Sequence, residues 1–143
     1  MRFRSLCPGQ YDHELKLVVA GRAGWLYQDI LITVKSLGLE EEVVFTGVVE
    51  ESNLPDLYRG AALFVYPSLH EGFGLPILEV RAYSIPVITS NMSSMPEVAG
   101  QAAMLVEPRR PEALAAAMAS VLSDVQLRDN LRNEGLKRAK QFS

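Results

Sequence analysis

The sequence contains one cysteine, Cys7, which excludes an internal disulfide and any metal site built from several thiolates. A lone thiol fits a reducing compartment, so the expected location is the cytoplasm, with room for a full-length protein at a membrane surface. No apolar run reaches the roughly 18 residues of a membrane span, and residues 1–10 lack the apolar centre of a secretion signal. Neither sign of charge dominates. The 14 Lys and Arg against 17 Asp and Glu leave a formal charge of -3, with no basic block that could track a phosphodiester backbone, so nucleic acid is not an expected partner. Asp-x-Asp does not occur, and Asp12, His13 and Glu14 are consecutive residues that cannot converge on one ion without a turn. No metal site is expected. The stretch "GRAGWL" at 21–26 is not Gly-x-Gly-x-x-Gly, which argues against a dinucleotide-binding turn.

What the sequence does have is apolar content, 48% of its 143 residues, enough for one domain with a core. Short apolar runs at 15–21, 43–47, 62–67, 86–90 and 103–108 are rich in Val, Ile, Leu and Phe without alternation, the pattern of strands buried on both faces. Residues 25–39, 52–61, 75–83, 111–124 and 125–142 carry apolar residues at helical spacing. Strand and helix alternate, so the predicted class is α/β with a doubly wound, Rossmann-like parallel sheet. Residues 15–143 form the predicted domain, and 1–14 a ragged N-terminal segment. Within the C-terminal part, 128–140 reads as a solvated helix face, and Ser94 with Glu97 has the spacing of a helix-starting capping box.

The stretch "PSLHEGFGLPILE" at 67–79 places Glu71 and Glu79 around a glycine-rich turn. In doubly wound sheets ligands bind outside the carboxyl ends of strands, where loops enter helices, and this loop follows the run ending near Tyr66. Pro76 suits the first turn of the next helix, because the N–H it lacks has no intrahelical acceptor there. The N–H groups of Phe73, Gly74 and Leu75 then point outward at the positive end of a helix dipole, a site for phosphate oxygens. Gly72 and Gly74 allow close approach to the backbone. An ionised carboxylate only accepts hydrogen bonds and can take two at once, and a vicinal diol supplies two donors. Glu79 is thus placed to hold a ribose and Glu71 a second sugar, with a diphosphate between them. Each feature alone also has a purely structural account: an early helical Glu complements the dipole, and Gly-x-Gly makes a turn.

Taken together, "ALFVYPSLHEGFGLPILE", "VVFTGVVEESNLPDLYRGA", "PVITSNMSSMPEVAGQAAMLVEP" and "LSDVQLRDNLRNEGLKRAKQFS" resemble, in order and spacing, the C-terminal half of the family 4 retaining glycosyltransferases of GT-B architecture. The resemblance implies a domain that binds a nucleotide sugar of UDP or GDP type, without a cofactor or metal. It implies that Glu79 binds the ribose and that Glu71 is the catalytic glutamate at the donor sugar. The backbone at Gly72, Phe73, Gly74 and Leu75 would contact sugar and phosphates, with Gly47 and Val48 beside the base. It further implies a missing N-terminal acceptor-binding domain, an absent first strand with its basic pair, and an isolated chain without activity. The alternative is a non-catalytic nucleotide-binding or interaction module. Without the first strand, 15–20 are expected to pair directly with 62–67; the rival outcomes are 2–6 filling the gap or a second copy forming a homodimer through the open edge. "EVRAYSIPV" departs from the family's small residues and glycine: Arg81 and Tyr83 must be accommodated, and Ser84 must cap a helix, at about 1 kcal/mol if its φ is positive.

Overall fold

The computed structural model describes residues 15–20, 27–66, 79–91, 96 and 102–141. Contacts divide the chain into two compact units, Met1–Pro55 and Asp56–Ser143. In the first, β1 (Leu17–Ala20) is followed by α1 (Tyr27–Ser36) and β2 (Val43–Gly47). A parallel strand pair requires a long crossover, and α1 lies within it. The two strands run parallel, with Leu17 opposite Val43 and Val19 opposite Phe45, and the register slips between Val19 and Ala20. Just past α1, Gly38 has φ +69° and donates its N–H to the Lys35 carbonyl at 3.1 Å, while Leu39 donates to Val34 at 3.0 Å. The left-handed glycine thereby satisfies carbonyls that the last helical turn leaves open.

The second unit carries most of the buried core. Its strands β3 (Phe64–Tyr66), β4 (Val87–Ser90) and β5 (Met104–Val106) form a parallel sheet in that order, and α3 (Pro111–Ser123) and α4 (Val125–Gln141) follow. α2 (Leu54–Arg59) precedes it and spans the boundary between units. All four residues of central β4 are buried, as its apolar run predicts. Successive strand residues point to opposite faces, so Val87 joins Val80 and Ile85 on one side while Ile88 joins Val106, Ala117, Val121 and Leu131 on the other. This is the two-sided covering of a doubly wound sheet, and the α/β class read from the sequence holds.

Three expectations need correction. The strands of the first unit are not buried on both faces: Val18, Val19 and Val44 are 42%, 38% and 41% exposed. Valine-rich composition reports strand propensity, but a two-stranded ladder has too few neighbours to cover both faces. Second, 15–20 do not pair with 62–67 among the described residues; β1 is laddered to β2, and β3 to β4. That expectation assumed one continuous sheet that had to close a gap, whereas the described ladders form within separate units. Third, 128–140 is not simply a solvated face, because Arg128, Leu131 and Gly135 are buried. Polar and small residues stand at core-facing positions there for local reasons. The Arg128 guanidinium donates through Nη1 to the carbonyls of Val121 at 3.2 Å and Leu122 at 2.5 Å, closing the C-terminal end of α3. Asp124 Oδ1 accepts the Leu127 N–H at 3.1 Å and starts α4.

Gly135 is explained by its neighbour. A Cβ at this position would lie 3.2 Å from Arg81 Cγ. Arg81 is 1% exposed, and burial, followed by the charge of Arg138, pushes its guanidinium down to about 10, still charged at neutral pH. The bulk of Arg81 is thus accommodated by a glycine in the middle of α4. Residues 79–81 are helical and end as the sequence requires: Tyr83 donates to Val80 at 2.9 Å, Ser84 donates to Arg81 at 3.0 Å, and Ser84 has φ 59°. A side chain in the left-handed region is strained where glycine is not. Ser84→Gly is expected to stabilise the chain by about 0.5–1 kcal/mol and raise Tm by roughly 2–4 °C. A thermal melt showing no gain, or a loss, would contradict the strain.

Candidate functional site

The stretch singled out by sequence, 67–79, follows β3 in the chain, and of it only Glu79 lies among the described residues. The strand end is held from β4: the hydroxyl of buried Thr89 donates to the Tyr66 carbonyl at 2.7 Å. The chain re-enters the described residues as helix at Glu79, whose side chain is exposed while adjacent Val80 is fully buried in the core. Burial of Val80 fixes the helix against the sheet and leaves Glu79 on the solvent side. Glu79 Oε2 accepts a hydrogen bond from the Tyr58 hydroxyl at 3.3 Å. That phenol is pushed above its ordinary 10.0, first by burial, then by the charge of Glu79 and the hydrogen bond to it, and last by Tyr83.

Tyr58 reaches Glu79 from α2, and aromatic packing sets its ring. It meets Phe64 edge-on, with centroids 6.2 Å apart and planes at 88°, and Tyr83 at 5.7 Å and 49°. Phe64 stacks on Tyr66 at 6.0 Å, and the Arg59 guanidinium lies 5.4 Å from the centre of the Tyr83 ring. Tyr83, a departure from the resembled family's small residues, is accommodated within this aromatic group. Arg59 also pairs with Asp56 at 3.3 Å, an exposed contact of little energetic weight. On the far strand, Glu107 accepts hydrogen bonds from the Arg109 backbone N–H at 3.1 Å and Nε at 3.0 Å just past β5, which lowers the Glu107 carboxyl below its ordinary range.

Of the residues singled out by sequence, Glu71, Gly72, Phe73, Gly74 and Leu75 lie outside the described residues, as do His13, His70, Ser94 and Glu97. Gly47 and Val48 belong to the first unit and Glu79 to the second. Gly47 ends β2 with φ +69°, a conformation that favours glycine, and Val48 beside it is 68% exposed. The residue that sequence reasoning passed over is Tyr58. Its only signal was a tyrosine near the end of a predicted helix, and no spacing rule links that position to Glu79.

Comparison with known proteins gives a consistent result. The family model described as "Glycosyl transferases group 1" matches residues 3–138. The O-antigen chain mannosyltransferase B of Escherichia coli is 39% identical over 139 residues, covering 96% of this chain and 36% of that protein. The chain therefore spans about a third of that curated relative's length. Among solved structures, the C-terminal domain of a glycosyl transferase group 1 family protein from Francisella tularensis superposes with a TM-score of 0.80 at 28% identity, over 90% of this chain and 69% of that one. The Anabaena protein HepE in complex with UDP-glucose superposes with a TM-score of 0.80 at 23% identity, over 94% of this chain and 37% of that one, which is a likeness of fold. On the match across residues 3–138, this chain belongs to the group 1 glycosyl transferases.

Proposed function

We propose that the chain is the nucleotide-sugar-binding part of a retaining glycosyltransferase that moves a sugar from a nucleoside diphosphate donor to a glycan acceptor. The observation that carries the reading is Glu79: an exposed carboxylate on the helical stretch 79–81, anchored to the sheet by buried Val80 and next among the described residues after β3. In doubly wound sheets ligands bind beyond the carboxyl ends of strands, and Glu79 lies in the segment that follows β3 in the chain. Glu79 accepts the ribose hydroxyls, and the N–H groups of Phe73, Gly74 and Leu75 receive the diphosphate. Glu71 acts at the donor sugar. In the transfer, the bond from the anomeric carbon to the diphosphate oxygen breaks, a bond to the acceptor hydroxyl oxygen forms with the same configuration, and the hydroxyl proton passes to the departing diphosphate. Charge developing on the departing diphosphate is stabilised by the helix N-terminus. The acceptor is held by a further domain of the whole enzyme, because donor and acceptor must be kept in register. The likeness to an O-antigen mannosyltransferase supports a mannosyl residue as the sugar transferred and polysaccharide assembly as the setting.

A thermal-shift and calorimetric panel of UDP, GDP and their sugars tests this. A ligand that binds the folded chain and not the unfolded one raises Tm with concentration, so at least one nucleoside diphosphate is expected to give a saturable shift. Absence of binding across the whole panel would overturn the reading in favour of an interaction module.

A further inference from the structure

We infer that Tyr58 is a positioning residue for Glu79, holding its carboxylate in the orientation that accepts ribose hydroxyls and so setting discrimination between ribo- and deoxyribonucleotides. The inference rests on the reading of Glu79 as the ribose acceptor. A glutamate on an exposed helix turn has several rotamers of similar energy, and a ligand that needs one of them must first select it. Tyr58 removes that freedom from a fixed base. Its ring is packed between Phe64 and Tyr83 and touches the core formed by Val80, Ile85 and Val87, so the hydroxyl is presented by the body of the unit. The hydroxyl donates to Oε2 at 3.3 Å.

The chemistry of the donor also suits the task. A phenol has one hydrogen to give, whereas an ionised carboxylate offers about four acceptor positions over two oxygens. With one position on Oε2 occupied, Oε1 and the remaining lone pair on Oε2 stay available to a vicinal diol. The phenol is neutral near pH 7, because its surroundings hold its ionisation above 10.0, and it leaves the carboxylate's charge intact. A lysine or arginine in the same place would form an ion pair and compete with the incoming hydroxyls. The arrangement therefore orders Glu79 without neutralising it, and this preorganisation favours a ligand that presents two adjacent hydroxyls over one that presents a single hydroxyl.

The test measures the affinity ratio between a nucleoside diphosphate and its 2′-deoxy counterpart, UDP with 2′-deoxy-UDP and GDP with 2′-deoxy-GDP, for the natural chain, Tyr58→Phe and Glu79→Ala. Tyr58→Phe keeps the ring packing and is expected to weaken ribonucleotide binding roughly two- to tenfold while leaving deoxynucleotide binding nearly unchanged, so the ratio contracts. In Glu79→Ala the ratio should fall close to one. A ratio that collapses in Glu79→Ala but stays at its natural value in Tyr58→Phe overturns the role of Tyr58 alone. Equal weakening of both ligands by Tyr58→Phe also overturns it, since that marks a merely structural effect. A ratio unchanged in both variants overturns the assignment of Glu79 itself. A second measurement needs neither ligand nor the phenylalanine variant. By NMR titration of ring-labelled tyrosine, Glu79→Gln should let the Tyr58 phenol ionise at lower pH than in the natural chain, because the carboxylate that raises it is gone. An unchanged titration overturns the contact.

Discussion

Replacement of Glu79 by alanine is expected to weaken nucleoside diphosphate binding by roughly ten- to a hundredfold while leaving the melting temperature of the unliganded chain almost unchanged. The first part follows from what an ionised acceptor contributes: hydrogen bonds to a charged group stabilise by about 1.5–3 kcal/mol, and each 1.4 kcal/mol is a factor of ten in affinity. The second follows from exposure. Glu79 faces solvent, its hydrogen bond from Tyr58 is long at 3.3 Å, and surface substitutions of this kind change stability by only about 0.5 kcal/mol in either direction. Calorimetric titration of both chains, with thermal melts run alongside, separates the two effects. A variant that binds as the natural chain does would remove Glu79 from the site. One that loses binding only together with a large fall in Tm would make Glu79 a structural residue.

The second large effect is on folding. Ile88→Ala is expected to destabilise the chain by about 2–5 kcal/mol, the range for removing a large aliphatic side chain from a packed interior. Ile88 has no exposed surface, sits in central β4, and packs against Val106, Ala117, Val121 and Leu131, which come from a neighbouring strand and both C-terminal helices. No element there can close over the cavity without disturbing the sheet. Against a total stability of roughly 5–15 kcal/mol, such a loss unfolds a substantial part of the population at moderate urea. Leu105→Ala is the control: on β5, next door in the same sheet, Leu105 is 38% exposed and should cost far less. Urea unfolding of the three chains measures the contrast. Equal costs at 88 and 105 would show that the core is not centred on β4.

Much of this fold was legible because its elements are short and sharply punctuated. Residues 43–47 end at a glycine that takes positive φ, and 111–123 begin with a proline and end where Asp124 can start the next helix, so their bounds follow from local chemistry. The strain at Ser84 was legible too, since a helix that ends without glycine must place some other residue in the left-handed region. Less legible was everything decided by contact across the fold. Val18, Val19 and Val44 of β1 and β2 have the composition of buried strands, yet face solvent. Arg81 has the character of a surface residue, yet is buried, and the compensating space comes from Gly135 on another element. Tyr58 meets Glu79 only because α2 and the helix at 79–81 share one aromatic and aliphatic cluster, a relation that no periodicity in either segment encodes.

On the proposed reading, nucleoside diphosphates bind at residues 71–79, with Glu79 at the ribose. The most direct measurement is an amide NMR titration of the labelled chain with the nucleoside diphosphate that binds best. The largest shift changes are expected on Phe73, Gly74, Leu75 and Glu79, saturating with a single affinity, and in Glu79→Ala those of 73–75 should need roughly ten- to a hundredfold more ligand to saturate. Saturable shifts confined to other residues, such as the exposed valines of β1 and β2, with 71–79 unmoved, would contradict it.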